Sequence, residues 1–317
     1  MPGISGGIDE RGRGGGALWW AALQQVEGVG AASMLRLARA FGSAEAALAA
    51  SPEELMARGG LSPEQAAGMV ASARALPALR LEIEGLERQG IRLLAIGEPG
   101  YPVELLDLRS PPPLLYVRGT LKEEDRRGVA VVGTREASRE GARLARRLGK
   151  GLAERGFTIV SGLARGIDTA GHRGALQARE GRTVAVLGCG VQRVYPPENA
   201  LLAVKIARRG CVVAEMPPHT EVHRRYLLAR DRLQAALSRA VIVVQAHGRC
   251  GSLVTARHAV GCGRLLFGVV WEQEPFAEGW ERLQALGARR LEADADLDEI
   301  AAEIERGPDP PSQQSMG

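Results

Sequence analysis

Residues 129–190 decide how this chain folds. They open with VAVVGTR (129–135), pass through an amphipathic stretch, reach IVSGLARGIDTAGHRGAL (159–176) and close with TVAVLGCG (183–190). Three apolar, largely β-branched runs, at 129–132, 157–160 and 183–187, end at or beside a glycine and lead into the next segment. Such runs favour strands. A strand that turns through glycine into a helix aims backbone N–H groups at whatever anion sits beyond the turn. Each turn also carries a distinctive side chain: Arg135 after the first, Arg165 and Asp168 after the second, Tyr195 downstream of the third. Planar guanidinium groups around stacked strand ends suit a phosphate-bearing ligand.

Outward from this stretch the alternation continues. Six strand candidates, at 129–133, 157–161, 183–188, 211–215, 240–245 and 264–270, are separated by helical segments. Near-continuous Val/Ile/Leu runs between helices predict a parallel sheet covered on both faces. The fold expected is α/β, a Rossmann-like doubly wound sheet, with its ligand crevice at the carboxyl ends of the strands. After residue 270 the pattern gives a helix at 279–287, an extended piece at 290–292 and a last helix at 297–304.

Towards the N-terminus, residues 76–120 predict a helix at 81–88, a strand at 91–96 and, after Pro111-Pro112-Pro113, another at 114–117. Residues 17–75 read as all-helical, with Leu23, Val26, Leu35, Ala38 and Phe41 at helical spacing. Val26-Glu27-Gly28-Val29-Gly30 has the form of a helix-hairpin-helix, whose glycines let backbone approach a phosphate. The same hairpin also serves simply to turn a small helical bundle. Ser51-Pro52-Glu53-Glu54 and Ser62-Pro63-Glu64-Gln65 each place serine at an N-cap and proline at the first helical position. The organisation expected is a disordered leader at 1–16, a helical helix-hairpin-helix/SAM-like domain at 17–75, an extended Rossmann-like domain at 76–304 and a disordered tail at 305–317.

Composition sets bounds. The 317 residues carry a net charge of +4, which permits a nucleic-acid partner without requiring one. No apolar run approaches the length that spans a membrane. The opening MPGISGGIDERGRGGG lacks an apolar core, so no secretory signal is expected and the location expected is cytoplasmic. The four cysteines (Cys189, Cys211, Cys250, Cys262) lack CxxC spacing and read as small buried hydrophobes. His219 and His223 are four apart but follow Pro217-Pro218, so a loop is expected there and no metal.

Enzymatic readings find little support. The first turn, Gly133-Thr134-Arg135, is not G-x-G-x-x-G, and no G-x-x-x-x-G-K-[ST] loop occurs. Ser161 and Ser252 lie beside glycines without the G-x-S-x-G setting of a nucleophile. Asp168 and His172, four apart on a helix, suit bracing of the glycine turn better than acid–base work. No catalytic residue and no cofactor is expected.

The ordered phrases GTR (133–135), SGLARGID (161–168), His172, GCG (188–190), YPPEN (195–199) and GSLVTA (251–256) resemble the DprA/Smf family of DNA-processing proteins. Tyr101-Pro102-Val103-Glu104-Leu105 and the segment 112–119 match the extension preceding that family's core, so the resemblance covers roughly residues 17–304. It implies a protein of natural transformation that binds single-stranded DNA, loads RecA, meets single-stranded DNA-binding protein and forms a homodimer through the Rossmann-like domain. Apolar Leu265, Leu266, Phe267 and Trp271 are candidates for that interface or for core strand. The DNA-binding residues expected are Gly133, Thr134, Arg135, Ser161, Gly162, Arg165, Gly166, Asp168, His172, Gly190, Tyr195, Arg230, Arg232 and Ser252. Among them the amides of Gly133, Thr134, Ser161 and Gly162 are expected to add phosphate hydrogen bonds.

The chain departs from the family phrase F-P-x-R-N-R-I-I-x-G-L-S. At 227–238 Phe-Pro is lost, Asn becomes Asp231 and Gly becomes Ala236. A usual glutamate is Gln245, and V-P-G is Val269-Val270-Trp271. Asp231 is expected near a helix start, either favouring the helix dipole or repelling DNA. Two other functions compete: a sensor or hydrolase of small nucleotides, and a scaffold that has lost its ligand. The hydrolase stretch P-G-G-x-G-T-x-x-E is absent.

Overall fold

The computed structural model describes residues 16–272 and 274–307. The expected leader and tail lie almost wholly outside these. Gly16 begins the first helix, and residues 305 and 306 end the last one. The described chain divides into two compact units, with the boundary between Arg118 and Gly119.

The first unit holds α1 (Gly16–Gln24), α2 (Ala31–Phe41), α3 (Ala44–Ala49), α4 (Pro52–Ala57), α5 (Pro63–Arg74) and α6 (Leu76–Arg88). A hairpin of β1 (Ile91–Ala95) and β2 (Leu114–Gly119) follows, antiparallel, with Leu93 opposite Tyr116. Both predicted serine caps form. Ser51 and Ser62 accept from the amides of Glu54 and Gln65, whose side chains return the bond to the cap amides. Trp20, Leu23, Met34, Leu37, Leu55 and Met69 bury the apolar faces of these helices. Helix α6 starts five residues earlier than its pattern predicts, because Pro77 occupies the first turn, where its missing N–H costs nothing.

The second unit alternates strictly: β3 (Gly128–Val132), α7 (Arg139–Glu154), β4 (Thr158–Ser161), α8 (Ile167–Ala175), β5 (Arg182–Leu187), α9 (Ala200–Arg209) and β6 (Cys211–Ala214). Then come α10 (Arg224–Ala236), β7 (Ala240–Val243), α11 (Ser252–Gly261), β8 (Leu265–Val269), α12 (Phe276–Ala285), β9 (Arg289–Leu291) and α13 (Leu297–Arg306). Its strands run in the order β6-β5-β4-β3-β7-β8-β9, every adjacent pair parallel. The chain winds outward from β3 through β4, β5 and β6, then returns to the other side of β3 for β7, β8 and β9. That reversal places a topological switch beside β3, where the connecting helices diverge and a crevice opens.

Packing explains the strand runs. Val129, Val131, Ile159 and Ile242 are buried among Leu148, Leu152, Phe157 and Phe267. Leu265, Leu266 and Phe267 are therefore core strand, and Trp271 is half-buried with its indole N–H donating to Val244 O at 2.5 Å. For Leu265, Leu266 and Phe267 the core-strand alternative holds, because β8 lies between β7 and β9 and all three side chains are buried. Among the described residues no helix is long and apolar enough to cross a membrane.

Candidate functional site

The switch beside β3 opens into a cleft of about 1040 Å³. Its walls are the loops that leave the carboxyl ends of β3, β4, β5, β6 and β7, together with the faces of α10, α11 and α12. Gly133, Thr134, Arg135, Asp168, Tyr195, Arg230 and Ser252 all line it. Gly162 and Arg165 line a smaller recess with Arg135 and Tyr195. Ser161, Gly166, His172, Gly190 and Arg232 line neither cavity.

The loop after β4 is shaped by its glycines. A Cβ on Gly162 would overlap the Arg230 guanidinium, so only glycine lets that arginine lie under the turn. Gly166 has φ +72° and passes so close to Thr134 O that a side chain would collide. Between them Leu163 adopts φ 59° with its side chain fully buried. Left-handed backbone is unfavourable for leucine by about 1–2 kcal/mol, and the burial offsets it.

Several expected ligand donors are committed to the fold. The Thr134 amide donates to Gln245 O at 2.7 Å, and the Gly162 amide to the Asp168 carboxylate at 3.1 Å. Ser161 is buried inside β4, its hydroxyl donating to Val131 O at 2.7 Å. A parallel strand uses its own amides in the ladder, so the Ser161 amide is committed there as the Thr134 and Gly162 amides are to their loop partners. The Gly190 amide closes its loop onto Thr220 O at 2.9 Å. Ser252 opens α11, and its hydroxyl contacts Cys250 Sγ at 3.2 Å.

Arg230 and Arg232 of α10 are also engaged within the fold. Arg230 is 7% exposed, donates to Val186 O at 2.9 Å, pairs with Asp231 at 2.9 Å and lies 3.9 Å from Asp168. Arg232 bonds both carboxylate oxygens of Glu215, at 2.7 and 2.6 Å. Asp231 lies eight residues into α10 rather than at its start, so the helix-dipole role expected for it does not arise. Burial pushes its carboxyl up to about 6, against the pull of Arg230. Burial likewise raises Asp168, opposed by Arg230 and by the Ala164 and Gly162 amides. His172 lies fully buried on α8, its Nδ1 2.7 Å from Thr183 Oγ1 of β5. Burial and the Arg230 charge lower it to about 3, so it stays neutral, packed against β5.

Exposed cations remain at the rim. Arg135 reaches solvent at the head of the loop after β3 and, among the described residues, has no carboxylate at ion-pair distance. Arg165 is exposed but pairs with Glu198. Arg224, Arg249 and Arg257 add further exposed guanidinium groups to the cleft, and Arg282 adds one paired to Glu278 at 2.8 Å. Sequence reasoning missed these four. Arg224 and Arg249 follow β6 and β7, and the carboxyl-end rule applied to every strand would have found them. Gln245 was noted only as a departure. Its buried amide accepts from Ser138 N and donates to Ser138 Oγ, both at 3.0 Å, pinning the loop that carries Arg135. Among the described residues no group of three or more His, Cys, Asp or Glu is placed to hold a metal.

The family model for DNA recombination-mediator protein A matches residues 92–304, and that for a SAM-like helix-hairpin-helix tandem matches 21–75. Protein Smf of Synechocystis sp. is 37% identical over 253 residues, 78% of this chain and 63% of the relative. The chain thus spans under two thirds of that relative's length. The DNA processing protein DprA of Bacillus subtilis is 35% identical over 224 residues, 70% of this chain and 75% of its own. Among solved structures, DprA of Streptococcus pneumoniae superposes with TM-score 0.77 at 29% identity, covering 90% of this chain and 97% of that one. DprA of Helicobacter pylori, described for its single-stranded DNA binding mode, gives TM-score 0.61 at 27% identity over 68% of this chain and 96% of its own. A sheet wound about β3, a cleft at its switch point and a match across 92–304 agree: the chain belongs to the DNA recombination-mediator protein A, or DprA/Smf, family.

Proposed function

We propose that this protein binds single-stranded DNA in the cleft beside β3 and acts as a recombination mediator. In this reading it holds incoming strands, meets single-stranded DNA-binding protein and passes DNA to RecA as a cytoplasmic homodimer. The observation that carries the reading is the rim of exposed arginines, Arg135, Arg224, Arg249 and Arg257, around the cleft. Phosphates are held by such charges at any sequence, and Tyr195, His223 and His247 line the cleft as rings for base contact. The named binding mode of the Helicobacter pylori relative supports it.

A gel shift with oligothymidine at several salt concentrations tests the reading. Each neutralised phosphate should contribute about −0.7 to the slope of log K against log salt. Salt-independent binding, or preference for duplex, would refute it. Recombinase loading is read separately, from RecA filament growth on strands coated with single-stranded DNA-binding protein.

A further inference from the structure

A second cationic depression lies on the outer side of α7 and α8. It holds about 380 Å³ and is lined by Arg143, Arg146 and Arg173 above a floor of Ala142, Gly166, Thr169 and Ala170. All three arginines are exposed, and the lining contains no acidic residue. Arg143 stands 3.5 Å from Glu140 in a solvent-exposed pair, while Arg146 and Arg173 have no ion-pair partner among the described residues. The floor supplies no competing polar group, since Thr169 Oγ1 already donates to Ala164 O and accepts from Asn199 Nδ2. Three guanidinium groups thus converge over small side chains, leaving room for a tetrahedral oxyanion.

This groove adjoins the cleft. Gly166 belongs to its floor, and the chain there lies against Thr134 and Arg135 of the cleft wall, with the Ile167 amide donating to Thr134 O at 3.2 Å. A single layer of backbone separates the two cavities: the main chain of Arg135, whose side chain lines the cleft, lies against Gly166 of the groove. We infer that the groove between α7 and α8 is a second phosphate site, which receives the backbone of a single strand after it leaves the cleft over Arg135. The inference rests on the cleft being a DNA path. It commits to a nucleic-acid occupant because the groove has charge but no ring or apolar wall to seat another kind of ligand.

The double variant Arg146→Gln/Arg173→Gln tests it with the full-length chain, since both side chains are exposed and glutamine keeps the helices intact. Binding is measured for oligothymidines of about six and about thirty nucleotides, bracketing the stretch one such surface covers. The long strand should bind the variant about tenfold more weakly, with a salt slope lower by about 1.4, while the short strand binds both proteins alike. Equal losses on both lengths would place these arginines in the cleft's own contacts, and no loss on either would take the groove off the strand's path; either result overturns the inference. Failure of the parent protein to bind any oligonucleotide would instead refute the DNA reading itself. A thermal melt matching the parent's excludes unfolding as the cause, and Arg173→Gln alone serves if the double variant melts early.

Discussion

Arg135 and Arg165 look alike in the sequence, each one step beyond a glycine turn, yet their surroundings differ. Arg135 presents its guanidinium to the cleft, whereas Arg165 is paired with Glu198 and holds that carboxyl below the usual range. Arg135→Ala should therefore weaken binding about tenfold or more, and Arg165→Ala by less, because DNA must displace Glu198 to gain that contact. Glu198→Gln should tighten binding; titrations of the three variants at one salt concentration check the ranking. Asp231 gives a pH signature. Its carboxyl is raised to about 6 in the folded chain, against about 3.9 when unfolded. The folded state thus binds the proton more tightly, so the stabilisation is complete below pH 3.9 and is lost as pH rises through 6. Near neutrality the ionised, buried group costs on the order of 3 kcal/mol, before the pairing with Arg230 is disturbed. His172 acts in the opposite sense, stabilising at neutral pH and losing that effect as pH falls from 6.5 towards 3. Asp231→Asn removes the first trend and leaves those of His172 and Asp168 in place. Its melting temperature should fall more steeply than the parent's between pH 6 and 4.5, and parallel curves would deny the raised carboxyl.

The elements divide into those a local pattern reveals and those that only distant contacts explain. Strands β3 to β8 were legible as apolar runs because a strand covered on both faces must be apolar at every position. The glycine turns were legible because backbone in that geometry excludes side chains. The roles of Arg230 and Arg232 were not, because Arg-Asp-Arg on α10 does not reveal Val186, 44 residues earlier, or Glu215, 17 residues earlier. Gln245 is the same case: its partner Ser138 is 107 residues away. Its side chain joins the end of β7 to the start of α7, so its loss should act on the intervening loop. Gln245→Ala should cost about 1–3 kcal/mol by leaving the Ser138 amide without an acceptor, and should weaken DNA binding although no charge is removed. Gln245→Glu keeps the acceptor and should retain both stability and binding. Urea titrations beside oligothymidine binding distinguish the two variants.

Across the whole molecule, the central position of β3 has a consequence in time. This strand pairs with β4, close behind it, and with β7, which begins about 110 residues later. On the ribosome, at about 5–20 residues per second, β3 waits some 5–20 s with one edge unsatisfied before its second neighbour emerges. An apolar edge left open that long is a template for wrong pairing with another nascent copy. Chains halted just before Ala240 should aggregate, while those extended past Val269, which supply both β7 and β8, should stay dispersed; sedimentation of stalled nascent chains would measure the difference. The order that creates the cleft thus also sets the interval in which the newborn chain most needs a chaperone.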